Sequence, residues 1–195
     1  GDGTFTPQVT YPAGNTTNSV VTVDVNGDNK LDIIASNSVS NDVSVFLNNG
    51  DGTFASHVTY STGNTPRSVT AGDVNGDNKV DIIVANSGSH NVGVLLNNGI
   101  GIFTSQVTYS TGISPYSVTT ADINGDSKLD IIVANSKVNS VRGNGNGTFA
   151  AQVTYSTVSS SSMVVATDVN GDSLVDIIFM STSSNSVGVL LAACN

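Results

Sequence analysis

The chain has 195 residues, 38% of them apolar, which is enough for a core if the apolar positions recur periodically. All fifteen acidic residues are Asp and only six residues are Lys or Arg, so the formal charge is −9 and no basic face exists for a nucleic acid. The single cysteine, Cys194, excludes an internal disulfide framework and a structural four-ligand zinc site, and reads as a small apolar residue near the terminus.

The chain opens on "GDGTFTPQVTY" with neither an initiating Met nor a signal sequence, and is expected to be a processed product or a piece of a longer protein. No apolar run reaches the roughly 18 residues of a membrane-spanning helix. Residues 1–12 read as a fourth strand that precedes any complete unit. The same segment returns after 50, 99 and 145, and its "QVTY" or "HVTY" ends at Tyr11, Tyr60, Tyr109 and Tyr155. These tyrosines are expected to pack between repeats.

The next element, "DVNGDNKLD", starts at Asp24 and recurs from Asp73, Asp122 and Asp168, at spacings of 49, 49 and 46. Twelve of the fifteen Asp lie in these four clusters, so the acid is placed rather than diffuse. Each cluster is entered by an alternating stretch such as "SVTAGDV" and left by a continuous apolar run such as "DIIVAN", the pattern of a strand buried on both faces. A third strand, "VGVLL", runs into "NNG", which predicts a tight hairpin with positive φ, and "FASHVTY" follows as the fourth. No apolar spacing of three and four persists long enough for a helix. The expected fold is therefore all-β. Four four-stranded antiparallel blades form a propeller, in repeat units of about 13–60, 61–109, 110–155 and 156–195 with the strand of residues 1–12. That first strand would complete the last blade, in its own or a neighbouring chain, and remove two open edges. The third unit is three residues shorter between Asn135 and Phe149 than the second is between Asn86 and Phe103, so its third strand should be short or irregular.

The clusters follow D-x-N-G-D-x-x-x-D. This places oxygen ligands at the first, third, fifth and ninth positions, with the seventh residue's carbonyl as another, and calcium is the cation that such flexible hard-oxygen loops suit. The ligand sets are Asp24, Asn26, Asp28, Asp32 and the Lys30 carbonyl; Asp73, Asn75, Asp77, Asp81 and the Lys79 carbonyl; Asp122, Asn124, Asp126, Asp130 and the Lys128 carbonyl; and Asp168, Asn170, Asp172, Asp176 and the Leu174 carbonyl. An EF-hand needs a loop of about twelve residues ending in Glu between helices, and this chain has no Glu. About four Ca2+ ions would bring the charge of −9 close to neutral.

The D-x-N-G-D-x-x-x-D loop with its apolar strand, together with "NNGDGTF", resembles the FG-GAP and VCBS-type repeats of extracellular β-propellers, among them the amino-terminal propeller of integrin α subunits. The resemblance covers all four units and implies calcium in the loops, a secreted or cell-surface location, and adhesion or recognition without catalysis. It supplies no ligand-binding residues. Those are sought where the units differ: Asn18, Arg67, Tyr116 and Ser162 are equivalent, and Arg67 and Tyr116 are residue types favoured at binding hot spots. The partner would be a protein, a glycan or another copy of the chain. The alternatives are a structural subunit of an extracellular filament joined by its terminal strands, and a carbohydrate-binding propeller. His57 and His90 form no constellation with Ser and Asp, so no enzyme activity is expected, and both are read as surface residues. Asn15 and Asn146 stand in glycosylation sequons.

Overall fold

The computed structural model describes every residue except 1, 136, 156, 158, 159, 194 and 195; Cys194 thus lies outside the described residues. Among those described there are fifteen strands and no helix. The first sheet is built from β1 (Thr17–Val23), β2 (Asp32–Asn37), β3 (Asp42–Phe46) and β4 (Val58–Ser61), and the second from β5 (Pro66–Gly72), β6 (Asp81–Asn86), β7 (Asn91–Leu95) and β8 (Val107–Ser110). The third holds β9 (Ser117–Ala121), β10 (Asp130–Ala134), β11 (Val138–Val141) and β12 (Val153–Tyr155). β13 (Ser161–Thr167), β14 (Asp176–Ser181) and β15 (Ser186–Leu190) make the fourth. Every sheet is an antiparallel meander in chain order, the form of a propeller blade.

Successive blades pack face to face, with β1 against β5, β5 against β9 and β9 against β13. Three apolar cores result, one per junction. Between the first two blades, Val25, Ile34, Val43 and Val45 meet Val69, Ile82, Val84 and Leu95. In the next junction Ile83, Val92 and Val94 meet Val118, Ile131 and Val133, and in the last Ile132 and Val138 meet Val164, Ile177 and Phe179. Consecutive residues of one strand, such as Ile82 and Ile83, serve two different cores, which is why "DIIVAN" is apolar on both faces. A serine on each inner strand also ties it to the next: the Val69, Val118 and Val164 amides donate to the hydroxyls of Ser19, Ser68 and Ser117 at 3.2–3.3 Å.

Residues 2–12 carry no strand and the fourth sheet has three strands among the described residues, so within this chain the first segment does not complete the last blade. Tyr11 instead packs edge-on to Phe54 and Phe46 of the first blade, 5.5 and 6.4 Å between ring centres, as Tyr60 does to Phe103 and Tyr109 to Phe149. That aromatic anchor holds the segment on the first blade, where no strand ladder reaches it. The "NNG" turn is not a tight two-residue turn either. Asn48 bridges Phe54, and the loop between them closes through Asn49 N–H to the Thr53 carbonyl, because Asp51 accepts both the amide and the hydroxyl of Thr53. β11 has four residues where β3 and β7 have five, as the shorter third unit requires.

Gly143 occupies the place held by Asn48 and Asn97 in the preceding blades, yet a Cβ there would collide with the Leu129 carbonyl oxygen. Replacing Gly143 with Asn, although it restores the residue of the two preceding repeats, should lower stability by about 2 kcal/mol in urea denaturation. An unchanged midpoint would show that the shortened hairpin has room to spare.

Candidate metal centres and an exposed stack

Each Asp cluster forms the loop between the first and second strands of its blade. In the first, the Asp24 carboxylate accepts the amides of Asn26, Gly27 and Asp28 on Oδ1 and that of Asn29 on Oδ2, at 2.7–3.3 Å. The backbone can wrap one carboxylate in this way because Gly27 and Asn29 both take positive φ, 78° and 62°. Asp73 and Asp122 collect the equivalent four amides, and Asp168 collects three. Burial raises the Asp24 and Asp122 carboxyls, but these amides outweigh it and hold both below the usual carboxylate range. For Asp168 the Gly171 and Ser173 amides do most of the lowering.

The third and fifth positions continue the pattern. Asn26 accepts the Asp28 amide, and Asp28 accepts the Lys30 amide. The side chains of Lys30 and Lys79 return to Asp28 and Asp77 at 3.3 Å, in half-exposed ion pairs worth little by themselves. In the fourth loop Leu174 takes the lysine's place, and the Asn170 amide group donates to Asp172 instead.

The ninth position behaves differently. Asp32, Asp81, Asp130 and Asp176 are fully buried. In each, one oxygen accepts the amide of the loop's second residue (Val25, Val74, Ile123 or Val169), and the other accepts an amide just beyond the third strand (Asn48, Asn97, Gly143 or Ala192). These distances are 2.7–3.1 Å. The residue that spacing marks as a ligand is therefore also a clamp between loop and hairpin. Burial pushes the Asp81 carboxyl up, against the Asn97 and Val74 amides, and the charges of Asp77 and Asp73 push it further. The Asp130 carboxyl is raised in the same way, with Asp126 and Asp122 contributing.

The loops thus bring the first, third and fifth side chains onto one run of amides and set the ninth behind them. Among the described residues, no three acidic, His or Cys side chains converge as a metal-holding group. The donor set is all oxygen, and each carboxylate oxygen that accepts one amide keeps a second lone pair, so the chemistry of the loops fits a hard cation.

Arg67 and Tyr116, two single variable positions in the sequence, are brought together: the guanidinium lies 4.9 Å from the ring centre, a cation–π contact on the surface. Arg67 lies at the start of β5 and Tyr116 immediately precedes β9, at the opposite end of these strands from the Asp loops. Beside Tyr116 an open groove of about 410 Å3 is lined by Ile113, Ser114, Ser161, Ser162 and Thr182. Asn18 is exposed on β1. His57 is half-buried against Phe46, and exposed His90 accepts the Ser114 amide at 3.0 Å, where Asn41 accepts the Thr65 amide one blade earlier. Asn15 and Asn146 are exposed.

Blades that meander antiparallel from an inner strand, each carrying the same Asp loop, define a repeat protein of propeller type. The chain belongs to the FG-GAP-like repeat family, whose pattern matches residues 24–84 and 73–133, more than half of its length. No curated protein matches it in sequence. In structure it is similar to a lectin of Agrocybe aegerita described in its recognition of non-reducing terminal N-acetylglucosamine. The TM-score is 0.58 and the identity 24%, over 87% of this chain and 50% of the lectin chain. It is also similar to part of the Photorhabdus luminescens Tc holotoxin pore, with a TM-score of 0.55 and 17% identity over 86% of this chain and 8% of that one. The chain therefore spans half of the lectin and a small part of the toxin, and at these identities the likeness is one of fold.

Replacing Asp81 by Asn presents an N–H2 group to one of two buried amide donors. Measured in chelator, so that no metal ligand is at stake, Asp81→Asn should lower unfolding stability by about 3 kcal/mol. A loss near zero would mean that the carboxylate does not clamp the hairpin.

Proposed function

We propose that the chain is an extracellular, calcium-binding recognition module that works without catalysis and holds a glycan or protein ligand at the end of the blades opposite the Asp loops. The observation that carries the recognition reading is the exposed Arg67–Tyr116 stack beside the open groove. A partly exposed aromatic face, a fixed cation and several hydroxyl groups suit a sugar or a polar peptide. The lectin with the similar fold adds weight to the glycan side. Binding of the purified chain to an array of glycans, repeated with Tyr116→Ala, tests this. The variant should lose at least tenfold in affinity for any glycan the wild type holds, and equal binding by both would remove the groove from the reading.

Calcium is supported by four oxygen-only loops, by the crowding of carboxylates around Asp81 and Asp130, and by an acidic excess that six basic residues do not balance. Bound, the ion would supply positive charge among the first, third, fifth and ninth side chains of each loop and stiffen the turn between two strands. A chelator should then lower the melting temperature by several degrees, with added calcium restoring it, since a ligand that binds only the folded state stabilises it. Identical melting with and without chelator would end the calcium reading.

A further inference from the structure

We infer that the Arg67–Tyr116 stack is an anion-binding subsite, and that the ligand of the adjoining groove is an acidic glycan, one whose sugars carry carboxylate or sulfate groups. The inference rests on the recognition reading above and narrows its ligand to one chemical class. Among the described residues, Lys30 and Lys79 are paired with Asp28 and Asp77, whereas Arg67 pairs with no carboxylate and donates no hydrogen bond. Its partner is the ring of Tyr116, which holds the planar guanidinium in place and leaves its N–H groups free for the two-pronged contact that arginine makes with an oxyanion. The stack belongs to one junction, because the counterparts of Arg67 and Tyr116 in the outer blades are Asn18 and Ser162.

The groove beside the stack is built for hydroxyl chemistry. It lies at the internal junction of the third and fourth blades, where Tyr116 stands with Ser114, Ser161, Ser162 and Thr182, and no charged side chain lines it. Ser161 is 1% exposed, and its hydroxyl has no hydrogen-bond partner among the described residues. At the same register position in the first blade, the Thr17 hydroxyl donates to Asn37 at 2.9 Å, so the position is satisfied there and left unmet beside the groove. An unmet buried hydroxyl is costly, and rotation about χ1 turns it toward a polar group lodged in the groove. A sugar's hydroxyls match such a wall more fully than a peptide's amides and carbonyls do. Arg67 does not line the groove, so the cation and the hydroxyl wall stand on different sides of Tyr116. That separation suits an oligosaccharide laid across the ring, with its hydroxyls in the groove and its acid group on the guanidinium.

The net charge of −9 does not forbid an anion here. Twelve of the fifteen Asp lie in the loops at the far end of the strands. The seven residues of β5 set Arg67 about 20 Å from the Asp loop that follows that strand, well beyond the screening length of about 8 Å at physiological salt. At the groove end of the blades, Arg67 and Lys137 stand against Asp42, whose carboxylate already accepts the Asn37 side-chain amide at 2.7 Å. Local attraction therefore outweighs the distant acid.

Calorimetric titration of the purified chain tests this, using uronic-acid oligosaccharides with their carboxyl-reduced forms and sulfated oligosaccharides with their desulfated forms. Wild type should bind at least one acidic member about tenfold or more tighter than its neutral counterpart, with affinity falling as salt rises. Which pair shows the gain names the group, carboxylate or sulfate. Arg67→Gln should reduce the acidic member to the affinity of the neutral one, and because Arg67 is exposed, unchanged melting would show that the variant folds. A preference for the acidic form that survives Arg67→Gln overturns the inference, because the anion is then met elsewhere, for example by calcium in the Asp loops. Equal binding of acidic and neutral members by wild type overturns it but leaves the recognition reading in place, which falls only if Tyr116→Ala binds like wild type. An Asp-rich peptide bound more tightly than any of the glycans, or no binding of any oligosaccharide, overturns it as well.

Discussion

A carboxylate shut away from water between two backbone amides is the constraint on which each blade depends. Asp32, Asp81, Asp130 and Asp176 each join the start of an Asp loop to the end of the third strand, two places that the chain brings together only when three strands are in register. An ionised group so buried is tolerated because both oxygens are met by donors, and removing either donor strand would leave it exposed to a large desolvation penalty. The clamp therefore couples the turn, the second strand and the hairpin into one unit. The loop's first and fifth carboxylates are in turn wrapped by amides of the loop itself, so the turn is shaped from within as well as clamped by the ninth.

From that unit the rest follows by stacking. A blade is apolar on both sides and is stable only when covered, so the central blades bury their valines and isoleucines completely while the terminal ones do not. Small polar ties, the serine hydroxyls of Ser19, Ser68 and Ser117 and the turn acceptors Asn41 and His90, set how one blade sits on the next without adding much apolar surface.

Much of this was legible in the sequence. The blade strands, the loop positions and the short β11 follow from apolar period, Asp spacing and a three-residue deletion. The parts that were not legible have physical reasons. Asn-Gly signals a tight turn only if nothing competes, and in "NNGDGTF" Asp51 draws the chain into a longer loop by accepting from Thr53. Residues 2–12 have the pattern of a strand, but a pattern does not reveal whether a sheet edge lies within reach. The ninth Asp looked like the others in spacing, and only burial separates it from them. The pairing of Arg67 with Tyr116 joins positions 49 residues apart, and their equivalence in the repeat was the one available signal that they are neighbours on adjacent blades. The serine ties recur at that same period and could have been found by it.

The sameness of the blades also bears on how the chain reaches its fold. A strand such as β6 meets, in principle, three sets of partners elsewhere in the chain that match it almost residue for residue, so pairing energy discriminates poorly between the right hairpin and a wrong one. Proximity has to decide. Short connections such as the Asn37–Asp42 turn keep the correct partner within a few residues and let it zip first, because closing a long loop to a distant repeat is entropically dearer. The tight third hairpin, with Gly143 pressed against the Leu129 carbonyl, adds an irregularity that a strand from another repeat does not fit, and so acts as a registration mark in an otherwise degenerate chain.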